Sequence, residues 1–320
     1  MFTIWSCISA LALLRHVDIV ITICAKDFSS HLIKRKHSKT KQTMFRLFSH
    51  TAPTIRNSIT PRFTYTLTKR TMASNTGTGK ASNEQVNRSH LFDVSHVTAV
   101  VTGGGTGIGL MITQALVSNG AKVYITSRRD EVISETAKLY SEEKGDGQQG
   151  KIIPIQADVS DKEDVKRLAD EIALKEPNGI QLLVNNAGIA RDDSTKYSNA
   201  GEPDFSSAEA LREHFWKSPP EAWADTFKTN TTAIYYTSFA FLPLLAKGTT
   251  KTAGYSSSIV NITSVSGFNK GNSRGQFAYA TSKAAATHLT RMLAHTFSQT
   301  KVRVNAIAPG LFPSEVRCDS

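Results

Sequence analysis

The sequence predicts a single α/β domain built on a doubly wound parallel sheet, and three observations carry that expectation. From Val97 onward, short β-branched runs alternate with helical patterns, the order in which βαβ units assemble a parallel sheet. The strand candidates, 97–102, 122–126, 151–157, 180–185, 257–264 and 302–308, are apolar almost throughout, as strands covered on both faces must be. A glycine-rich turn directly after the first of them opens a helix, and that join is where such sheets receive a ligand.

The chain ahead of the first strand is of another kind. Of the formal net charge of +11, all is carried by residues 1–90, with 14 Lys and Arg against 3 Asp and Glu, while residues 91–320 carry 24 of each. A nucleic-acid-binding domain would need clustered cations on its folded part, so that class is set aside. The apolar run 1–14 stops at Arg15, short of the ~20 residues that span a bilayer, and no basic residue precedes it as a secretory signal requires. Residues 44–72 spread Arg46, Arg56, Arg62, Lys69 and Arg70 among Phe, Leu, Ser and Thr with no acid, which is a mitochondrial transit composition. The division expected is therefore 1–90 as a basic, largely disordered leader and 91–320 as the domain, with a mitochondrial or cytoplasmic address and no secretion. Cys7, Cys24 and Cys318 lie near the chain ends, which excludes a disulfide framework or CxxC metal site in the patterned region. The nine histidines show no ligand spacing, so no metal is expected.

The first strand leads into Thr102-Gly103-Gly104-Gly105-Thr106-Gly107-Ile108-Gly109 and a helix ending near Gly120. A turn with few side chains lets backbone N–H groups approach a pyrophosphate, and the helix N-terminus adds partial positive charge. The second strand ends in Ser127-Arg128-Arg129, where a site for NAD would carry an acid on the ribose hydroxyls. Ser127 and Arg128 instead suit the 2′-phosphate of NADP(H) through charge-assisted contacts. A third helix is announced by Ser160 and Glu163 as a capping box ahead of Val165, Leu168, Ala169 and Ile172. Further along, Tyr279-Ala-Thr-Ser-Lys283 sets a phenol and an ammonium on one helix face. A phenol is a weak base at neutral pH, and a cation at ~5 Å favours its ionised form by up to ~3 kcal/mol at an effective dielectric of ~20.

From Val97 to Phe312 the chain resembles a short-chain dehydrogenase/reductase. Four motifs agree in order: Thr102–Gly109, Asn185-Asn186-Ala187-Gly188, Ile262-Thr-Ser264-Val-Ser-Gly267, and Tyr279 with Lys283. The resemblance implies a Rossmann-like fold and hydride transfer between NADP(H) and a carbonyl or alcohol carbon. Within it Tyr279 is the acid–base, Ser264 holds the substrate oxygen, and Lys283 both tunes Tyr279 and binds the nicotinamide ribose. Asn230 is the asparagine of the proton relay, with Ser266 as the competitor of Ser264. The cofactor is expected on Gly103, Thr106, Gly107, Ile108, Gly109, Ser127, Arg128, Asp158, Asn186, Tyr279, Lys283, Pro309 and Gly310. Asp158 is assigned to the adenine, with helix capping as its other reading. The motif wording resembles fungal proteins related to rhamnolipid-type 3-oxoacyl-acyl-carrier-protein reductases, so reduction of a ketone or 3-oxoacyl group is expected. The alternative is a non-catalytic NADP(H)-binding or inactive homologue. The partners implied are a small-molecule substrate and further copies of the chain.

Two departures stand out. Asn230 follows Asn185 by 45 residues, longer than the family's spacing, so an insertion at about 191–220 is expected beside the active-site mouth, capping the substrate, shaping an oligomer contact or forming a surface excursion. Ten residues follow Gly310, where the family has a substrate loop, a helix and a seventh strand. The expectation is a sheet whose last strand is missing.

Overall fold

The computed structural model describes residues 20–23, 87–141, 150–252 and 254–312. These all belong to one compact unit, and the expected transit segment 44–72 lies outside the described residues. The elements, in order, are β1 Val20–Ile23, α1 Arg88–Leu91, β2 Thr98–Thr102, α2 Gly107–Ser118, β3 Lys122–Ser127, α3 Asp130–Tyr140, β4 Lys151–Gln156, α4 Lys162–Lys175 and β5 Leu182–Asn185. Two helices lie in the expected insertion, α5 Tyr197–Ala200 and α6 Ala208–Phe215, and α7 Pro220–Phe227 starts at its end. After a π-type turn, Lys228–Thr232, come α8 Ala233–Lys251, β6 Ser258–Ile262, α9 Phe277–Phe297 and β7 Arg303–Pro309.

All neighbouring strands run parallel in the order β1-β7-β6-β5-β2-β3-β4. Winding proceeds outward from β2 through β3 to β4, then returns across β2 to β5 and on through β6 and β7. The reversal between β2 and β5 is the switch point at which open α/β sheets bind ligands. The six domain strands fall within two residues of their predicted limits, because each is an apolar run that alternates between two buried faces. Val100, Tyr124, Leu183 and Ile259 join Leu168, Ile172, Phe241, Leu245 and Phe297 on one face. Ala99, Val101, Val123, Ile125 and Val184 join Ile112, Leu116, Val117 and Ile133 on the other.

One expectation is completed and one is corrected. Among the described residues no strand follows β7, yet its edge is paired, since β1 runs along it from Val20 opposite Ala306 to Ile23 opposite Pro309. An unpaired strand edge is a template for another β-prone segment, and Val20-Ile-Thr-Ile23 is the segment of the leader that occupies it. The cap of α4 is Asp161, not Ser160. The Asp161 carboxylate accepts the N–H of Asp164 at 2.9 Å, while the N–H of Ser160 is bound to Asp158 Oδ1 at 2.9 Å, which turns the chain one residue further before the helix starts. Asp161→Ala is therefore expected to cost ~1 kcal/mol in urea unfolding, and Ser160→Ala much less.

Candidate active site

The parallel strands end on one rim, and the residues just past them line a cavity of about 420 Å³. Beside β2 the chain turns on Gly103 and Gly107, both in the left-handed region with φ of 64° and 52°, which a side chain disfavours. Gly109 sits beneath the turn, where a Cβ would fall 2.0 Å from the Gly103 carbonyl oxygen. The turn is braced from β5. Asn186 Nδ2 donates to the carbonyls of Thr102 and Gly103 at 3.0 and 3.1 Å, and Thr102 Oγ1 accepts the N–H groups of Asn186 and Ala187, both at 3.0 Å. No side chain caps α2 at Thr106, so its first-turn N–H groups retain donors for an anion.

Twelve of the thirteen predicted cofactor residues line this cavity, all but Gly109. Ser127, Arg128 and also Arg129 form its wall at the end of β3, with Ser127 Oγ accepting the Arg129 N–H at 3.2 Å. Asp158 lines it too, and its carboxylate accepts the Ser160 N–H at 2.9 Å while the cap of α4 itself is Asp161. A glycine cradle and an uncapped helix suit the phosphates of a dinucleotide.

At the other end stand Ser264, Tyr279 and Lys283. Ser264 is 3% exposed and starts the 3₁₀ turn Val265–Gly267 by accepting the N–H of Ser266 on its Oγ at 3.2 Å. Ser266 is buried as well but is not part of the cavity wall. Lys283 is 4% exposed. Its Nζ donates to the Ile262 carbonyl at 2.9 Å and lies 5.9 Å from the centroid of the Tyr279 ring. Burial pulls the Lys283 ammonium down from 10.5 to about 8, because the charged form loses water without an ionised partner.

Asn230 is fully buried in the π-type turn between α7 and α8, a local form common at functional sites. Its side chain pairs with Ile189, accepting that N–H and donating to that carbonyl, both at 2.8 Å, and also donates to Ser282 Oγ at 3.0 Å. Gly188 lies between Asn230 and Lys283: a Cβ there would fall 3.1 Å from Asn230 Oδ1 and 3.3 Å from Lys283 Nζ. That wedge, Arg129, Val159 and Phe312 on the cavity wall, and Asp192 beneath Tyr279 are absent from the sequence-based site. Among the described residues no group of His, Cys, Asp and Glu is arranged for a metal, and no helix is long and apolar enough to cross a membrane.

A phosphate cradle at the switch point, leading to a hydroxyl, a phenol and an ammonium at the far end, defines an oxidoreductase that uses a nicotinamide dinucleotide. More narrowly, the chain belongs to the short-chain dehydrogenase family, whose model matches residues 97–319. It is 43% identical over 226 residues to the short-chain dehydrogenase/reductase PhomF of Diaporthe leptostromiformis, covering 71% of this chain and 73% of that one. To the rhamnolipids biosynthesis 3-oxoacyl-[acyl-carrier-protein] reductase of Pseudomonas aeruginosa it is 34% identical over 226 residues, 70% and 76% of the two chains. Among solved structures it is similar to the Pseudomonas aeruginosa RhlG/NADP active-site complex, with a TM-score of 0.57 and 32% identity over 70% of this chain and 76% of that one.

Proposed function

We propose that this protein is an NADPH-dependent reductase of a ketone or 3-oxoacyl carbonyl. The observation that carries the choice of cofactor is the wall at the end of β3, where Ser127, Arg128 and Arg129 line the cavity and none of the three is an acid. A guanidinium there matches a 2′-phosphate. The similar reductase and the similar NADP complex from Pseudomonas aeruginosa support the same reading.

The bound nicotinamide supplies hydride to the carbonyl carbon. The protein's own part is to hold the carbonyl oxygen and give it a proton. Ser264 donates a hydrogen bond to that oxygen and stabilises the charge that develops on it. Tyr279 transfers its phenolic proton to the same oxygen. Lys283, one helical turn further along α9, stabilises the phenolate left behind. Asn230 joins the end of β5 to α9 through Ile189 and Ser282, and the family resemblance supports assigning it to the relay that restores the proton. Oxidation of an alcohol follows the same steps in reverse.

The test is fluorescence titration with NADPH and NADH. NADPH is expected to bind more tightly, and Arg128→Asp to weaken it by ~10- to 100-fold with little effect on NADH, the scale of one charge-assisted hydrogen bond. Equal affinities in the parent protein would refute the choice of cofactor.

A further inference from the structure

We propose that Asp192 is a positioning residue for the reaction, fixing Tyr279 by capping the helix that carries it. The proposal rests on Tyr279 being the proton donor. Asp192 lies seven residues past β5 and is 2% exposed. Its two carboxylate oxygens accept the N–H groups of Ala278 and Tyr279 at 2.9 and 3.1 Å. These are first-turn donors of α9, which a helix cannot satisfy from within. The residue at the usual capping position, Gln276, makes no side-chain cap bond. The cap comes instead from a segment 87 residues earlier in the chain. Burial pushes the Asp192 carboxyl up and the two N–H bonds hold it down, so the contact keeps a buried carboxylate paired.

The same segment grips the loop just before α9. Thr195 Oγ1 donates to the Gly275 carbonyl at 2.8 Å, and the Tyr197 N–H donates to the Arg274 carbonyl at 3.0 Å. Gly275 has φ of 87°, and a Cβ on it would fall 2.0 Å from the Thr195 oxygen, so the two backbones are in closest contact. Upstream, the segment is pinned by Ile189 against Asn230. The start of the expected insertion is therefore a strap that runs from the end of β5 to the first turn of α9, rather than a surface excursion.

The consequence is specific because Tyr279 and Lys283 are held by different means. Lys283 is fixed from β6 by the Ile262 carbonyl, whereas the first turn of α9 is fixed by Asp192. Loss of Asp192 moves the phenol against Ser264 and leaves the cofactor site in place. A displacement of ~1 Å at a reacting group can cost ~10²-fold in rate.

The experiment uses the full chain, with NADPH oxidation followed against ethyl acetoacetate and diacetyl as carbonyl probes and NADPH affinity measured in parallel. Asp192→Ala is expected to lower kcat ~30- to 100-fold with the NADPH Kd within about twofold of the parent. Asp192→Asn, which keeps one acceptor, is expected to recover part of that loss, and Gly275→Ala to reproduce it by displacing Thr195. If Asp192→Ala does not fold, the asparagine and alanine variants at 192 and 275 respectively carry the same comparison. A kcat within twofold of the parent in the folded variants would overturn the proposal, as would NADPH affinity falling in step with kcat, which marks a purely structural role. No turnover of either probe by the parent, or unchanged turnover by Tyr279→Phe, would overturn the reductase reading itself, and the positioning role with it.

Discussion

Tyr279→Phe is expected to lower carbonyl reduction by ~10²- to 10⁴-fold, the range that a positioned general acid supplies, while NADPH binding changes no more than a few-fold. The ring is 7% exposed, lines the cavity, and has the Lys283 Nζ 5.9 Å from its centroid. Removal of the hydroxyl oxygen leaves that packing in place, so the variant isolates the proton from the scaffold. The substrate oxygen would then have to take its proton from water, with Ser264 still holding it, and residual rates well above zero are expected for that reason. Steady-state kcat with NADPH oxidation as the readout, set beside the NADPH Kd, separates the enzyme from a protein that only binds the dinucleotide. Turnover surviving within threefold would remove Tyr279 from the chemistry and leave the site as a cofactor-binding cleft.

What the sequence reveals here depends on whether a residue's partners are close along the chain. The six strands were legible because burial on both faces writes itself as continuous apolar runs, and Gly103, Gly107 and Gly109 because a tight strand-to-helix turn excludes side chains. Tyr279 and Lys283 were legible because a helix brings positions four apart onto one face. The start of α4 was misplaced by one residue, since Ser160 and Asp161 are both good caps and only the bond from Ser160 to Asp158 decides between them. Asp192 was not legible at all: a charged residue among Arg191, Asp193 and Ser194 reads as a solvated loop until α9 is brought against it. Gly188 likewise has meaning only as the gap between Asn230 and Lys283. The pairing of β1 escaped for a related reason, because Val20–Ile23 stands inside a basic leader and its partner, β7, is nearly the whole chain away.

Lys283→Met is expected to make the fold more stable and the enzyme all but inactive. Burial lowers the Lys283 ammonium from 10.5 to about 8, which corresponds to ~3 kcal/mol against the charged folded state. Below pH 8 the lysine is protonated in both folded and unfolded chains, and this cost is present in full. As the pH rises from about 8 to 10.5 the folded chain gives up its proton first, so the unfolded chain binds more protons and stability increases with pH. Methionine fills a similar volume without a charge and abolishes that rise. It also leaves the Ile262 carbonyl, which accepts from Nζ at 2.9 Å, without this donor, at ~1–3 kcal/mol. The two effects together give a net gain of ~1 kcal/mol in urea unfolding at pH 7, and a stability curve flat in pH where the parent's climbs. Reduction of the carbonyl probes is expected to fall by at least ~10²-fold, since the phenolate at Tyr279 loses the cation that stabilises it. A lysine kept in the core against its own solvation is a cost accepted for chemistry; a variant less stable by several kcal/mol, with the pH-dependent rise intact, would show instead that Lys283 holds the fold together.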